Sequence, residues 1–201
     1  VGLGGKLGST NVINPLVSVI TSIGFDHMNI LGDTIEKITG EKAGIIKPNV
    51  PVVSAVEQKE AIEVISTKAI EEHSPLYQIG QDFFILDHHH KDGELFTLKT
   101  QNKTLYKLSI SMKGTHQVRN ASLAVMAVNI LKESGTIQIA DNELSAGLEN
   151  TKWIGRFEEI SKNPLVILDG AHNPEGINSL VNTMDAHLKG KDIHIIFSAL
   201  H

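Results

Sequence analysis

Short unbroken apolar runs alternate along the chain with stretches in which apolar residues return every three or four positions. The segment Pro15 to Thr21 holds Leu16-Val17-Ser18-Val19-Ile20, whose length and β-branching predict a buried strand. Thr34 to Ile46 sets Ile35, Ile38, Ala43 and Ile46 at loosely helical spacing, with Asp33 as its expected cap. Gly40 and Gly44 lower helix propensity there and predict close backbone approach. Pro51 to Val56 reads as a second buried strand. Glu57 to Ser74 reads as an amphipathic helix, with Ala61, Val64, Ile65 and Ala69 on one side. Strand, helix, strand, helix in that order implies a parallel sheet covered by helices.

The period changes at Phe83. Phe83-Phe84-Ile85-Leu86, Glu94-Leu95-Phe96-Thr97-Leu98 and Thr104 to Ile110 alternate and are broken by Asp92-Gly93 and Asn102, predicting a small antiparallel sheet. Val118 to Lys132 is the clearest helix, and Asp141 to Glu149 a shorter one capped by Asp141. A second α/β start follows, with a strand at Pro164 to Leu168, a helix at Glu175 to Leu188 and a strand at Ile193 to Phe197. The expected class is α/β, with a boundary near Asn150 to Trp153 that divides the chain into 1–150 and 151–201.

Composition narrows the function. Hydrophobic residues at 41% support a real core, and aromatics at 4% make it one of Ile, Val, Leu and Ala. A net charge of -5 argues against a nucleic-acid binder. The chain lacks cysteine, which removes disulfides and thiolate metal sites and fits a reducing cytoplasm. No apolar stretch has the roughly 18 residues needed to span a bilayer. The chain starts without Met and ends just after an apolar run, as expected for a piece of a longer protein.

The candidate chemistry lies in short motifs. Lys42 sits in Gly40-Glu41-Lys42-Ala43-Gly44-Ile45-Ile46-Lys47, where small and apolar flanks could keep an amine partly dry. Such an amine can react with a carbonyl compound, or capture carbon dioxide as an anionic carbamate. The plain alternative is an ammonium paired with Glu41. His27, in Ser22-Ile23-Gly24-Phe25-Asp26-His27, follows a buried strand, and ligands gather outside the carboxyl ends of parallel strands. Gly2 to Asn11 is a glycine-rich loop without the Gly-Lys-Ser/Thr step of a P-loop. His116-Gln117-Val118-Arg119-Asn120 opens the long helix, where capping competes with ligand binding. Arg156 follows Trp153-Ile154-Gly155 and could bind phosphates or pair with Glu158 or Glu159. Asp169-Gly170-Ala171-His172-Asn173-Pro174 joins a strand to a helix. His88-His89-His90, with Asp87 and Asp92 near, reads as an exposed turn between hairpin strands whose metal binding would be adventitious.

Taken in order, these motifs resemble the Mur ligase superfamily, and within it the folylpolyglutamate and dihydrofolate synthases. The resemblance implies a three-layer central domain over 1–150, with a parallel and a small antiparallel sheet, then the start of a Rossmann-like domain. It implies a monomeric, cytoplasmic, ATP-dependent ligase joining L-glutamate to dihydropteroate or folate, with no nucleic-acid or membrane partner. By the same resemblance His27 and carbamylated Lys42 hold two Mg²⁺ ions, and Lys42 and His172 serve catalysis. Asn120, Arg156, Asp169 and His172 bind ATP, while Leu7, Gly8 and Ser9 contact the pterin substrate. Gly8 stands where the family usually has Asp. A metal-binding Glu and a P-loop would belong upstream of Val1. Two alternatives stay open: another Mur-type amide ligase acting on cell-wall precursors, and a piece that has no ligase activity alone.

Overall fold

The computed structural model describes residues 4–24, 31–101 and 105–198. Its first sheet is parallel, in the order β1 (Ser18–Ile20), β2 (Val52–Ser54), β3 (Leu76–Gln78), with Ser18 opposite Val52 and Val52 opposite Leu76. Alternate side chains of a strand face opposite sides, so β2 serves two cores. Val52 packs with Ile20, Ile38, Ala61 and Ile65, under α1 (Ile35–Ala43) and α2 (Lys59–Glu71). Val53 packs with Phe83, Leu98, Val118 and Val125 on the opposite face.

That second core lies between the parallel sheet, the helix α3 (Thr115–Glu133) and an antiparallel sheet. The latter runs β4 (Phe83–His90), β5 (Glu94–Thr100), β6 (Leu105–Ile110), and α4 (Asp141–Asn150) packs against β6. The expected α/β class with one parallel and one antiparallel sheet is therefore present. β3 escaped the hydrophobic pattern because its Gln78 is polar yet buried, its amide donating to the Val56 carbonyl.

Several local expectations are corrected. Thr34, not Asp33, caps α1: its backbone is extended and its hydroxyl accepts from the Lys37 N–H at 3.3 Å, while Asp33 pairs with the Lys37 amine at 2.8 Å. Asp141 is the first residue of α4 rather than its cap, and pairs with Lys132, while Glu143 accepts from the N–H of Ala140. Gly40 faces open space, whereas Gly44 meets the backbone of Lys6. His88-His89-His90 is not a turn but the end of β4, because the hairpin reverses later, where Lys91 N–H donates to the Gly93 carbonyl.

Beyond α4, β7 (Glu158–Lys162) and β8 (Leu165–Leu168) form an antiparallel hairpin through a cis Asn163–Pro164 turn, followed by α5 (Pro174–His187). The strand expected at Ile193 to Phe197 is absent. A strand is made by its hydrogen-bonded neighbour, and no described strand lies beside this run, whose Ile195, Ile196 and Phe197 are exposed. No helix of the described residues is long and apolar enough to cross a membrane.

Candidate active site

Three backbone segments meet beside the start of α3. The first is the turn Asp169 to Asn173. Asp169 holds it with both carboxylate oxygens, one accepting from Ala171 N–H and the other from Phe157 N–H, each at 2.8 Å. Asn173 caps α5 by accepting from Gly176 N–H at 2.8 Å, and Pro174 fills the first helical position, where no N–H is needed. The His172 ring lies with Nδ1 2.9 Å from the Gly170 carbonyl. A carbonyl only accepts, so Nδ1 carries a proton.

The second segment is Trp153 to Phe157. Gly155 and Phe157 both have positive φ, 69° and 48°, which throws Arg156 outward between them. The segment is stitched to the first by Gly170 N–H donating to the Gly155 carbonyl at 2.9 Å. A methyl on Gly170 would come within 3.3 Å of a terminal nitrogen of Arg156, so this glycine leaves room for the guanidinium. Glu158 and Glu159, the expected surface partners of Arg156, are engaged elsewhere. Glu158 accepts from Gly155 N–H and Glu159 pairs with Lys113.

The third segment is the first turns of α3. Gln117 and Asn120 lie one turn apart, and the Asn120 amide donates to the Gln117 side chain at 3.2 Å. Two clefts result. One, of about 370 Å³, is lined by Met112, Gln117, Asn120, Ala121 and Trp153; the other, of about 230 Å³, by His116, Asp169, His172 and Asn173. Arg156 lines both. Half-buried His116 stands in the wall of the smaller cleft. Burial lowers its pKa, Asp169 opposes that, Arg156 adds to it and Glu94 opposes it again, and the net direction is down. The imidazole is neutral at neutral pH.

A second group forms at the carboxyl end of α1. The N–H groups of Gly5 and Lys6 donate to the Glu41 carbonyl at 3.0 and 2.9 Å. Asn11 donates to the Gly44 carbonyl, and the Lys47 amine donates to the Asn11 carbonyl. A methyl on Gly5 would fall 2.7 Å from the Lys42 carbonyl, and one on Gly44 would fall 2.6 Å from Lys6 Cα. The glycines thus let the loop lie flat on the helix end, where Lys42 is half-buried. Leu7, 89% exposed, and exposed Ser9 face outward beside half-buried Gly8. His27 lies outside the described residues. The loop leaving β1 nonetheless reaches the first group: a methyl on Gly24 would overlap the carboxylate of Glu175 in the first turn of α5.

Asn120, Arg156, Asp169 and His172 are therefore brought together, and Leu7, Gly8, Ser9 and Lys42 gather at the second place. Residues 3–128 match the Mur ligase middle domain, and residues 155–201 match the Mur ligase, glutamate ligase domain. The chain is 46% identical to the dihydrofolate synthase/folylpolyglutamate synthase of Bacillus subtilis, over 99% of this chain and 46% of that protein. Among solved structures it resembles an FPGS–AMPPCP–folate complex, with a TM-score of 0.89 and 35% identity over 96% of this chain and 47% of that one. It also resembles Mycobacterium tuberculosis folylpolyglutamate synthase complexed with ADP and AMPPCP, with a TM-score of 0.83 and 32% identity over 93% and 42% of the two chains. The chain spans about half the length of the curated relatives it matches.

Proposed function

This chain belongs to the Mur ligase family, and from that premise we propose that it forms part of an ATP-dependent ligase adding L-glutamate to dihydropteroate or to a folate polyglutamate. The observation that carries the reading is Arg156 standing on the wall shared by two clefts, one with Asn120 and Trp153, the other with Asp169 and His172. The first suits a flat heteroaromatic ring: Trp153 supplies a face and the Asn120 amide both donates and accepts. The second suits phosphates, because a planar guanidinium with its donors in a fixed fork matches phosphate oxygens. Relatives with bound AMPPCP, and in one case folate as well, support the assignment.

In this reading adenine takes the larger cleft and the phosphates pass Arg156 into the smaller. Asp169, whose carboxylate also orders the turn, lies on the adenosine side, and the Nε2 of His172 faces the phosphates. A substrate carboxylate oxygen attacks the γ-phosphorus as the bond to ADP breaks, giving an acyl phosphate. The amine of glutamate then attacks the acyl carbon, loses a proton, and phosphate leaves from the tetrahedral intermediate. Arg156 offsets charge through both steps, and neutral His116 closes the wall without adding charge. The substrate loop is Leu7, Gly8 and Ser9, held against the end of α1.

The same reading assigns His27 and Lys42 to Mg²⁺ and divides the chain into 1–150 and 151–201. An ammonium at Lys42 does not suit a cation, whereas its carbamate offers the hard oxygen donors Mg²⁺ prefers. Half-burial and close glycine packing around Lys42 favour that form. Bound Mg²⁺ would neutralise phosphate charge during transfer. Labelled bicarbonate should give a carbamate carbon resonance in the chain that Lys42→Ala abolishes; equal spectra would remove the carbamate.

Trp153 is the chain's one tryptophan and lines the adenine cleft, so AMPPCP should change its fluorescence saturably. For the whole protein, glutamate-dependent ADP release is expected with dihydropteroate or tetrahydrofolate and not with a muramyl peptide. Turnover of the muramyl peptide alone would overturn the folate assignment. The chain by itself is expected to bind nucleotide without turning over.

A further inference from the structure

Away from those clefts, the carboxylate of Glu94 is fully buried and surrounded by imidazoles. Its Oε2 lies 2.8 Å from His88 Nε2 and 2.6 Å from His90 Nδ1, and its Oε1 lies 2.8 Å from His187 Nε2. Gly114 N–H, at the start of α3, donates to the same Oε1. One ligand atom from each of His88, His90 and Glu94 lies within 4.8 Å of the others.

The arrangement is made by a bulge. Phe83 pairs with Thr100 and Ile85 with Leu98, so odd-numbered residues of β4 stand on the core face, alongside the buried even-numbered residues of β5. Regular alternation would then give His89 to that face. Instead the register shifts between Leu86 and His89, with Asp87 at φ 50°. The extra residue inverts the parity, His90 pairs with Glu94, and His88 follows it to the same side while His89 is exposed. Bulges of this kind re-aim side chains. α5 supplies His187 from the far end of the chain.

We propose that His88, His90, Glu94 and His187 form a Zn²⁺ site that clamps α5 onto the antiparallel sheet. Three imidazoles and one carboxylate are ligands zinc takes in four-coordinate sites, and four protein ligands leave no open position, which is the pattern of a structural rather than a catalytic ion. The geometry is nearest for three of them: ligand atoms of His88, His90 and Glu94 already lie within 4.8 Å of one another, and tetrahedral bonds of about 2.0–2.1 Å put ligand atoms about 3.3 Å apart. His187, now held on the other carboxylate oxygen, swings toward them to complete the shell. A buried carboxylate also calls for compensating charge, and the ion supplies it in place of the protons now bridging to Glu94. Glu94 and His187 form the floor, at 0% and 5% side-chain exposure, while His90, at 37%, leaves a route from solvent. The octahedral, oxygen-seeking Mg²⁺ is a poor match for three nitrogens.

The test uses the 201-residue chain made without an affinity tag and stripped with chelator. Zinc titration against a chromophoric chelator should give one tightly held ion per chain and a raised thermal midpoint. Co²⁺ should give the intense visible absorption of a four-coordinate site. His90→Ala and His187→Ala should each weaken Zn²⁺ by at least about 10–100-fold. His89→Ala, one residue away on the opposite face, should leave affinity unchanged. Since His90 is partly exposed, its variant remains informative if His187→Ala misfolds. Equal losses from His89→Ala and His90→Ala, weak substoichiometric binding, or a six-coordinate Co²⁺ spectrum would each overturn the site.

Discussion

Two polar constellations in this molecule were assembled in opposite ways. The Arg156 cleft is made of loops whose members stand close together in sequence: Trp153 to Phe157 and Asp169 to Asn173, with α3 adding His116 and Asn120. The Glu94 cluster is made of strands and a helix, with Glu94 and His187 separated by 93 in sequence. The first is largely exposed and held by backbone hydrogen bonds; the second is built around a fully buried carboxylate. Exposed loop residues are free to meet a ligand and contribute little to folding. A buried charge with polar partners does the reverse.

That contrast can be broken by substitution, and the largest effect is expected at Glu94. Glu94→Ala leaves the Gly114 N–H and three imidazoles without their acceptor and should cost about 3 kcal/mol, within the range for removing one partner of a buried polar cluster. Urea unfolding would show a lower midpoint at unchanged slope. A change under about 0.5 kcal/mol would mean that the cluster is not structural. Arg156→Ala should do the opposite. Nucleotide affinity, followed through Trp153 fluorescence, should fall by about 2 kcal/mol, the value of a charge-assisted contact, with stability unchanged. Arg156→Lys should restore only part of it, since an ammonium lacks the fork.

Smaller effects sharpen the comparison elsewhere. Gly44→Ala drives a methyl against Lys6 Cα and should cost about 1–2 kcal/mol by overpacking, seen as a lower thermal midpoint. Gly40→Ala, inside α1 and facing open space, should be neutral or slightly stabilising, because alanine is the better helix former. The mildest effect is one of pH at His116. Its pKa is lowered from the ordinary 6.5 by burial, so the unfolded chain binds the proton more readily than the folded one. Stability from this residue is full above about pH 6.5 and is lost as pH falls from there toward the lowered folded value. His116→Gln should flatten that part of the stability–pH curve.

Much of the fold was legible. Leu16 to Ile20 and Pro51 to Val56 announce themselves as short, β-branched apolar runs, while Glu57 to Ser74 and Val118 to Lys132 do so by period, since burial of one helix face writes a regular spacing into the sequence. The short motifs around Arg156 and Asp169 were legible for a related reason: their turns are closed by residues a few positions apart. Gln78 hid β3, because a buried polar side chain, its amide donating to the Val56 carbonyl, has no hydrophobic signature. Ile193 to Phe197 misled in the other direction, having the composition of a strand with no described neighbour to pair with.

By itself, then, the sequence determined most of the helical and extended segments, where the Asp92-Gly93 reversal falls, and which short motifs carry side chains suited to chemistry. Tertiary structure alone decided that Arg156 faces two clefts at once, that Lys42 lies beneath a glycine loop, and that His88 and His90 rather than His89 meet Glu94. The physical reason is range. Propensity and periodicity act over a few residues, whereas register and a bulge's parity are settled only when one strand finds its hydrogen-bonded partner.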